Sequence, residues 1–203
     1  MTKLSEAKIY GGIGAILSLL SVVPYAGALL GLIGLVLIFV AVRHIADETK
    51  DHKIFSNYLM NFILSIVAAV AVILIMIAAF GLSGGFSWIT SLQQQNITDF
   101  SSFWESFGTM VSSCILALFI AWVLLILSAI YLRKSYNSIA DHTKVNLFKT
   151  TGLVYLIGAV TLIIAIGAII LFIAKILEIV AYFSLPENLP AVPEVPKTEP
   201  AVS

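Results

Sequence analysis

Residues 9–42 read IYGGIGAILSLLSVVPYAGALLGLIGLVLIFVAV, a stretch of 34 positions without a single charge. A straight helix of that length would rise about 51 Å at 1.5 Å per residue, whereas the hydrocarbon core of a bilayer is about 30 Å thick. Pro24 lacks an amide donor and clashes with the turn before it, and Gly27 relaxes the backbone just beyond. The stretch is therefore predicted to fold back as a hairpin, with helix one from about Glu6 to Val23 and helix two from about Tyr25 to Ala46. A single tilted, Pro-kinked helix is the alternative.

The rest of the chain repeats this character. Uncharged runs cover residues 54–98, 106–132 and 150–174, and the last stays apolar to Leu185 across Lys175 and Glu178. Each exceeds the roughly 18 residues that make a spanning helix plausible. Across 203 residues, 60% are hydrophobic and 11% charged, too few charges to clothe a water-soluble domain. Eleven basic residues balance eleven acidic ones, leaving no cationic excess to hold nucleic acid. Cys114 stands alone and can form neither an intramolecular disulfide nor a cysteine-rich metal site. The first run leads into more membrane sequence rather than a cleavage site, so no removable signal peptide is expected.

Helix three is predicted at Asn57–Phe80, helix four at Phe107–Leu132, helix five at Phe148–Ile164 and helix six at Ala168–Leu185, the last two forming a second hairpin around Gly167. The fold class is all-α, a polytopic transmembrane bundle of six spans. Residues 1–185 form the membrane domain, and the Pro-rich residues 186–203 form a tail expected to be disordered. Six crossings put Lys3, Lys8, Arg43, Lys50, Lys53, Arg133, Lys134, Lys144 and Lys149 on one side. By the positive-inside rule that side is cytoplasmic, with both termini, in the cell membrane. The loop of residues 81–105 then lies outside, with Trp88 and Trp104 suited to an aromatic belt and Asn96-Ile97-Thr98 forming a glycosylation sequon.

An internal echo joins the two cytoplasmic connectors. HIADETKDHKIF begins at His44 and SIADHTKVNLF at Ser138, so that IADxTK recurs after 94 residues, each time before an apolar pair ending in Phe. Copies on the same side imply a parallel repeat, with helices two and three corresponding to four and five. KIYGGIG and NLFKTTG echo each other more weakly at the starts of the two hairpins. The N-terminal AKIYGGIGAILSLLSVVPYAGALLGLIGLVLIFVAVRHIAD, followed by KIFSNYLMNFI, resembles a prokaryotic integral membrane family known as domain of unknown function 996. The resemblance covers about residues 1–185 and implies a Gly-rich span, a Pro-aromatic turn, a second Gly-containing span and a polar connector. It implies no activity and no catalytic residues.

Three groups of residues are candidates for function. Asp47, Thr49 and Lys50 with Asp141, Thr143 and Lys144 could form a polar or phosphate-binding patch between the two connectors; the alternative is helix capping and headgroup anchoring. Lys175 and Glu178 are ionisable groups inside a span, spaced to pair on one helix face. Asn61, Ser65, Ser112, Ser113, Ser128 and Thr161 could line a narrow path beside them. Gly27, Gly31 and Gly34 form a small-residue face for close helix packing, within the chain or across a dimer seam. No HExxH or CxxC spacing suggests a metal, and no nucleophile with a base suggests an enzyme. No cofactor is expected, and the expected partners are membrane lipids and either a membrane protein or a second copy. A membrane scaffold or assembly protein is the preferred reading, with a small-solute transporter or channel as the alternative and a lipid-modifying enzyme third.

Overall fold

A computed structural model describes residues 2–81 and 100–190, with side chains over 2–77 and 111–190. Thr2 caps the first helix, α1 (Lys3–Leu19), by accepting from the Ser5 amide. The helix tightens into a 3₁₀ turn, Leu20–Val22. Pro24 then blocks continuation, Tyr25 takes a left-handed φ of 67°, and the chain reverses into α2 (Gly27–Thr49). This is the hairpin expected from the sequence, not the single kinked helix. Its two backbones touch: a Cβ added to Gly14 would stand 2.7 Å from Gly34 O, and one added to Gly34 would stand 2.5 Å from Gly14 O.

The connector Lys50–Asp51 leads to α3 (His52–Gly81), which packs against α4 (Phe100–Thr143). Helix α4 is far longer than the predicted Phe107–Leu132. Hydropathy marks only the lipid-soluble part of a helix, and the amphipathic residues 133–143 continue the same backbone hydrogen bonding beyond it. The second terminal hairpin follows, α5 (Leu147–Thr161), a 3₁₀ turn Leu162–Ile164, and α6 (Ile166–Phe183). Its reversal falls on Ala165, with φ 61°, two residues before the expected Gly167. Gly167 serves packing instead, since a Cβ there would run into the backbone of Gly158 and Leu162.

Among the described residues, each helix packs against its neighbour in the chain, and α6 packs against α1, closing a ring of six helices. Five of these helices are long and apolar enough to cross a membrane. The sixth, α1, has 17 α-helical residues, about 26 Å at 1.5 Å each, and the following 3₁₀ turn adds about 6 Å to reach the thickness of a bilayer core. The outward surface is aliphatic: Leu29, Leu32, Ile73, Leu74, Ile115, Leu118, Ile163 and Ile169 are each more than half exposed. So wide an apolar belt suits hydrocarbon as the solvent. Among the described residues there is no strand.

The buried core gathers at the connector end of the ring, around Leu4, Ile45, Ile54, Tyr136, Phe148 and Tyr182. Phe148 stands edge-on to both Tyr136 and Tyr182, with centroids 5.5 and 5.2 Å away. Gly11 lets α1 seat directly on the Tyr182 ring. Beyond α6, Leu185 is buried, Leu189 is packed against this core and Glu187 O accepts from the Thr2 hydroxyl. Trp88, Asn96, the side chain of Trp104 and the tail beyond residue 190 lie outside the described residues.

Candidate functional site: a polar cavity inside the helix ring

Above the core, the ring forms a partly open cavity of about 270 Å³ to which all six described helices contribute. Most of its wall is aliphatic or aromatic, including Leu35, Ile38, Phe62 and Leu171. Two polar clusters interrupt it. On α6, residues 171, 175 and 178 recur at spacings of four and three, which puts Leu171, Lys175 and Glu178 on one face of the helix. Lys175 Nζ lies 2.9 Å from Glu178 Oε2. The lysine side chain keeps 29% of its exposure whereas the glutamate keeps 3%, so the carboxylate is the buried partner.

Burying a carboxylate is costly unless its lone pairs are met. Two tyrosines from other helices meet them: Tyr136 of α4 donates to Oε1 at 2.5 Å, and Tyr155 of α5 donates to Oε2 at 2.6 Å. Lys175 also lies 5.7 Å from the centre of the Tyr155 ring, within cation–π range. Tyr58 of α3 lines the same cavity. The sequence reading found the Lys175 and Glu178 pair but not its tyrosines. The available signal was the need itself: a carboxylate in a span requires several donors, and Tyr155 carries a hydroxyl into an apolar run.

The second cluster joins α3 to α4. Ser128 donates to Asn61 Oδ1 at 2.7 Å, its Oγ is 3.0 Å from Asn61 O, and Ser65 Oγ lies 2.8 Å from Ser128 Oγ. Asn61, Ser65 and Ser128 all line the cavity. Of the other hydroxyls proposed for a path, Thr161 bonds back to Ile157 O at 2.7 Å on its own helix, and Ser112 and Ser113 are not among the cavity-lining residues.

The two IADxTK segments are helix ends built alike. Thr49 and Thr143 each donate to the carbonyl four residues back, Ile45 O and Ile139 O, both at 2.8 Å. Lys50 and Lys144 then take left-handed φ values of 55° and 60°. The amides of Ile54 and Phe148 bond to Asp51 O and Val145 O, and both of these side chains are fully buried. The structural equivalent of Phe148 is thus Ile54 rather than Phe55, because the stretch between the lysine and the apolar pair is one residue shorter in the second copy. The aspartates find separate partners, Asp47 with Lys3 at 3.8 Å and Asp141 with Lys149 at 2.6 Å. His142 lies 4.0 Å from Asp51, so the two connectors are neighbours. The threonines and aspartates of the candidate patch are thereby engaged in ending helices and tying them together.

Gly27, Gly31 and Gly34 face inward. Gly27 and Gly31 lie against Ser21, and Gly34 lies against Gly14, so the small-residue face of α2 is covered by the first half of its own hairpin.

Comparison with known proteins places the chain among relatives without assigning it an activity. The family described as Protein of unknown function (DUF996) matches residues 30–176. An uncharacterized protein of Methanocaldococcus jannaschii is 36% identical over 189 residues, which cover 92% of this chain and 96% of that protein. No solved structure matches the chain.

Proposed function

The chain belongs to the DUF996 family, and within it we propose a small-solute carrier that binds its cargo in the central cavity of the helix ring. The observation that carries this reading is the cavity itself, walled by all six helices and provided with an ion pair and an amide–hydroxyl cluster. Polar and ionisable groups within a membrane bundle are costly, and they characteristically mark a substrate or ion pathway. Carriers commonly bind near the middle of the membrane between related halves, and the recurring IADxTK helix ends relate α2–α3 to α4–α5. Nine of the eleven basic residues fall at or beside the connector end, which supports a cytoplasmic connector end by the positive-inside rule.

The scaffold reading drew on Gly-rich packing, small loops and the Pro-rich tail, and of these the α2 glycine face is occupied within the first hairpin. The carrier reading uses groups that close packing of the bundle does not require. Its test is osmotic swelling of proteoliposomes holding the full chain, challenged with small polar solutes, against a Leu35→Trp variant in which an indole fills the cavity. Solute-selective swelling lost in the variant, with its size-exclusion profile unchanged, is the expected result. Equal swelling of protein-containing and protein-free vesicles for every solute refutes the carrier.

A further inference from the structure

We infer that the cavity takes a small carboxylate anion together with one proton, which goes to Glu178 and frees Lys175 for the anion. This rests on the carrier reading and names the class of its cargo. The first ground is a count of hydrogen-bonding groups. Among the described residues, each amide and carboxylate oxygen on the cavity wall already accepts at least one bond: Glu178 Oε1 from Tyr136, Oε2 from Tyr155 and Lys175, and Asn61 Oδ1 from Ser128. Donors remain. The Asn61 amide NH₂ and the Tyr58 hydroxyl have no hydrogen-bond partner among the described residues, and the Lys175 ammonium spends one of its three N–H groups on Glu178. A cavity whose donors are free and whose acceptors each already carry a donor matches a cargo that accepts better than one that donates.

The second ground is charge. Lys175 and Glu178 together are neutral, and an added anion would bring an unbalanced charge into a wall of low polarity. A proton taken up at Glu178 Oε2 breaks the ion pair with Lys175. The ammonium keeps its charge and turns to the incoming carboxylate. Tyr136 goes on donating to Oε1 throughout, and the Tyr155 hydroxyl can rotate to accept from the new Oε2–H. Net charge in the cavity is zero before, with glutamate and ammonium, and zero after, with glutamic acid, ammonium and anion. The groups facing Glu178 are Tyr58 from α3, Tyr136 from α4, Tyr155 from α5, and Lys175 and Tyr182 from α6; α1 and α2 contribute only Ser18, Leu35 and Ile38 to the cavity wall. Among the described residues, Lys175 is therefore the one cation on the cavity wall. The aliphatic wall and a volume of about 270 Å³ suit a carboxylate with a short hydrocarbon chain.

The test uses purified full-length protein and three near-isosteric probes, propionate, propionamide and propylamine, in equilibrium binding and in proteoliposome uptake. Propionate is expected to bind best, with affinity falling about tenfold per pH unit while Glu178 must be protonated for binding. Glu178→Gln, which resembles the protonated acid, is expected to bind propionate with no pH dependence over the same range. Lys175→Met is expected to lower propionate affinity by at least about tenfold, the scale of a lost hydrogen bond between charged groups. Circular dichroism and size exclusion check that each variant is folded. Preferential binding of propylamine or propionamide overturns the cargo class and leaves the carrier standing. Propionate binding with the same pH dependence in wild type and Glu178→Gln overturns the proton step. Failure of all three probes to bind to the folded wild type overturns the inference, and the osmotic assay then decides separately whether a carrier remains.

Discussion

Replacing glycine with alanine at two positions should move stability in opposite directions, because one glycine is a point of backbone contact and the other faces open space. A Cβ at Gly34 would sit 2.5 Å from Gly14 O and from Ser18 N, and 3.0 Å from Leu17 C. These are backbone atoms and cannot rotate away. The shortest contacts fall about 0.9 Å short of the 3.4 Å at which ordinary van der Waals contact begins, so α1 and α2 must separate by nearly that much. A gap of 0.5–1 Å forfeits roughly a quarter to a half of each contact's attraction along the seam, and overpacking of this kind costs about 1–3 kcal/mol. With obstruction by backbone on both sides, the upper end applies; helix propensity returns about 1 kcal/mol. Gly34→Ala should therefore destabilise the protein by about 2 kcal/mol. At Gly108 nothing lies within 4 Å of the added carbon, and only the propensity gain of about 1 kcal/mol remains. The difference of about 3 kcal/mol is more than about a hundredfold in the unfolding equilibrium constant. Reversible unfolding in mixed micelles, titrated with SDS and followed by far-ultraviolet circular dichroism, measures both. Equal shifts in the two variants, or a stabilised Gly34→Ala, would refute the close-packed hairpin.

Other consequences follow from the same coordinates. Tyr136→Phe should cost more stability than Tyr155→Phe, both within about 1.5–3 kcal/mol, because Glu178 Oε1 loses its Tyr136 donor while Oε2 retains Lys175; the same SDS titration measures the order, and the reverse order would count against the tyrosine-bound carboxylate. Lys50→Gly and Lys144→Gly should each raise stability by about 0.5–1 kcal/mol by relieving left-handed backbone at φ 55° and 60°, whereas Lys→Ala at either site should leave it unchanged. In a Cys114→Ser background, single cysteines at Tyr25 and Ile166 should react with a membrane-impermeant maleimide from one side of the membrane and cysteines at Ser5 and His52 from the other. Labelling of Tyr25 and Ser5 from the same side would remove the first hairpin.

Much of the fold was legible because its largest determinants are local in the sequence. A run too long for one crossing, broken by Pro24, leaves a hairpin as its economical solution, and the charge-free runs mark the remaining helices. What escaped was set by contacts between distant residues. Ala165 reverses the second hairpin because Gly158 and Gly167 must meet, a demand invisible to a reading that looks for glycine at the turn itself. The amphipathic end of α4 has few apolar residues in sequence, yet Tyr136, Ile139 and Ala140 are buried on one side of it. At the site, Lys175 and Glu178 were visible because three-residue spacing within one helix is local. Tyr136 and Tyr155 were not, since they come from two other helices, 42 and 23 residues away.

The duplicated helix ends give the ring a mechanical consequence. Thr49 and Thr143 end their helices by the same back-bonding, and the two connectors meet through His142 and Asp51, so α2–α3 and α4–α5 are fastened at the end where the core is densest. At the far end, the hairpin turns at Tyr25 and Ala165 carry large exposed apolar residues and no residue of the buried cluster. Local opening draws on regions with few buried contacts, so a rearrangement that admits cargo would cost least at the hairpin end. The ion pair lies between these ends, with Glu178 beside the core tyrosines and Lys175 one turn nearer the hairpin turns. A change in their pairing is therefore placed where the fixed half of the bundle meets the half better able to move.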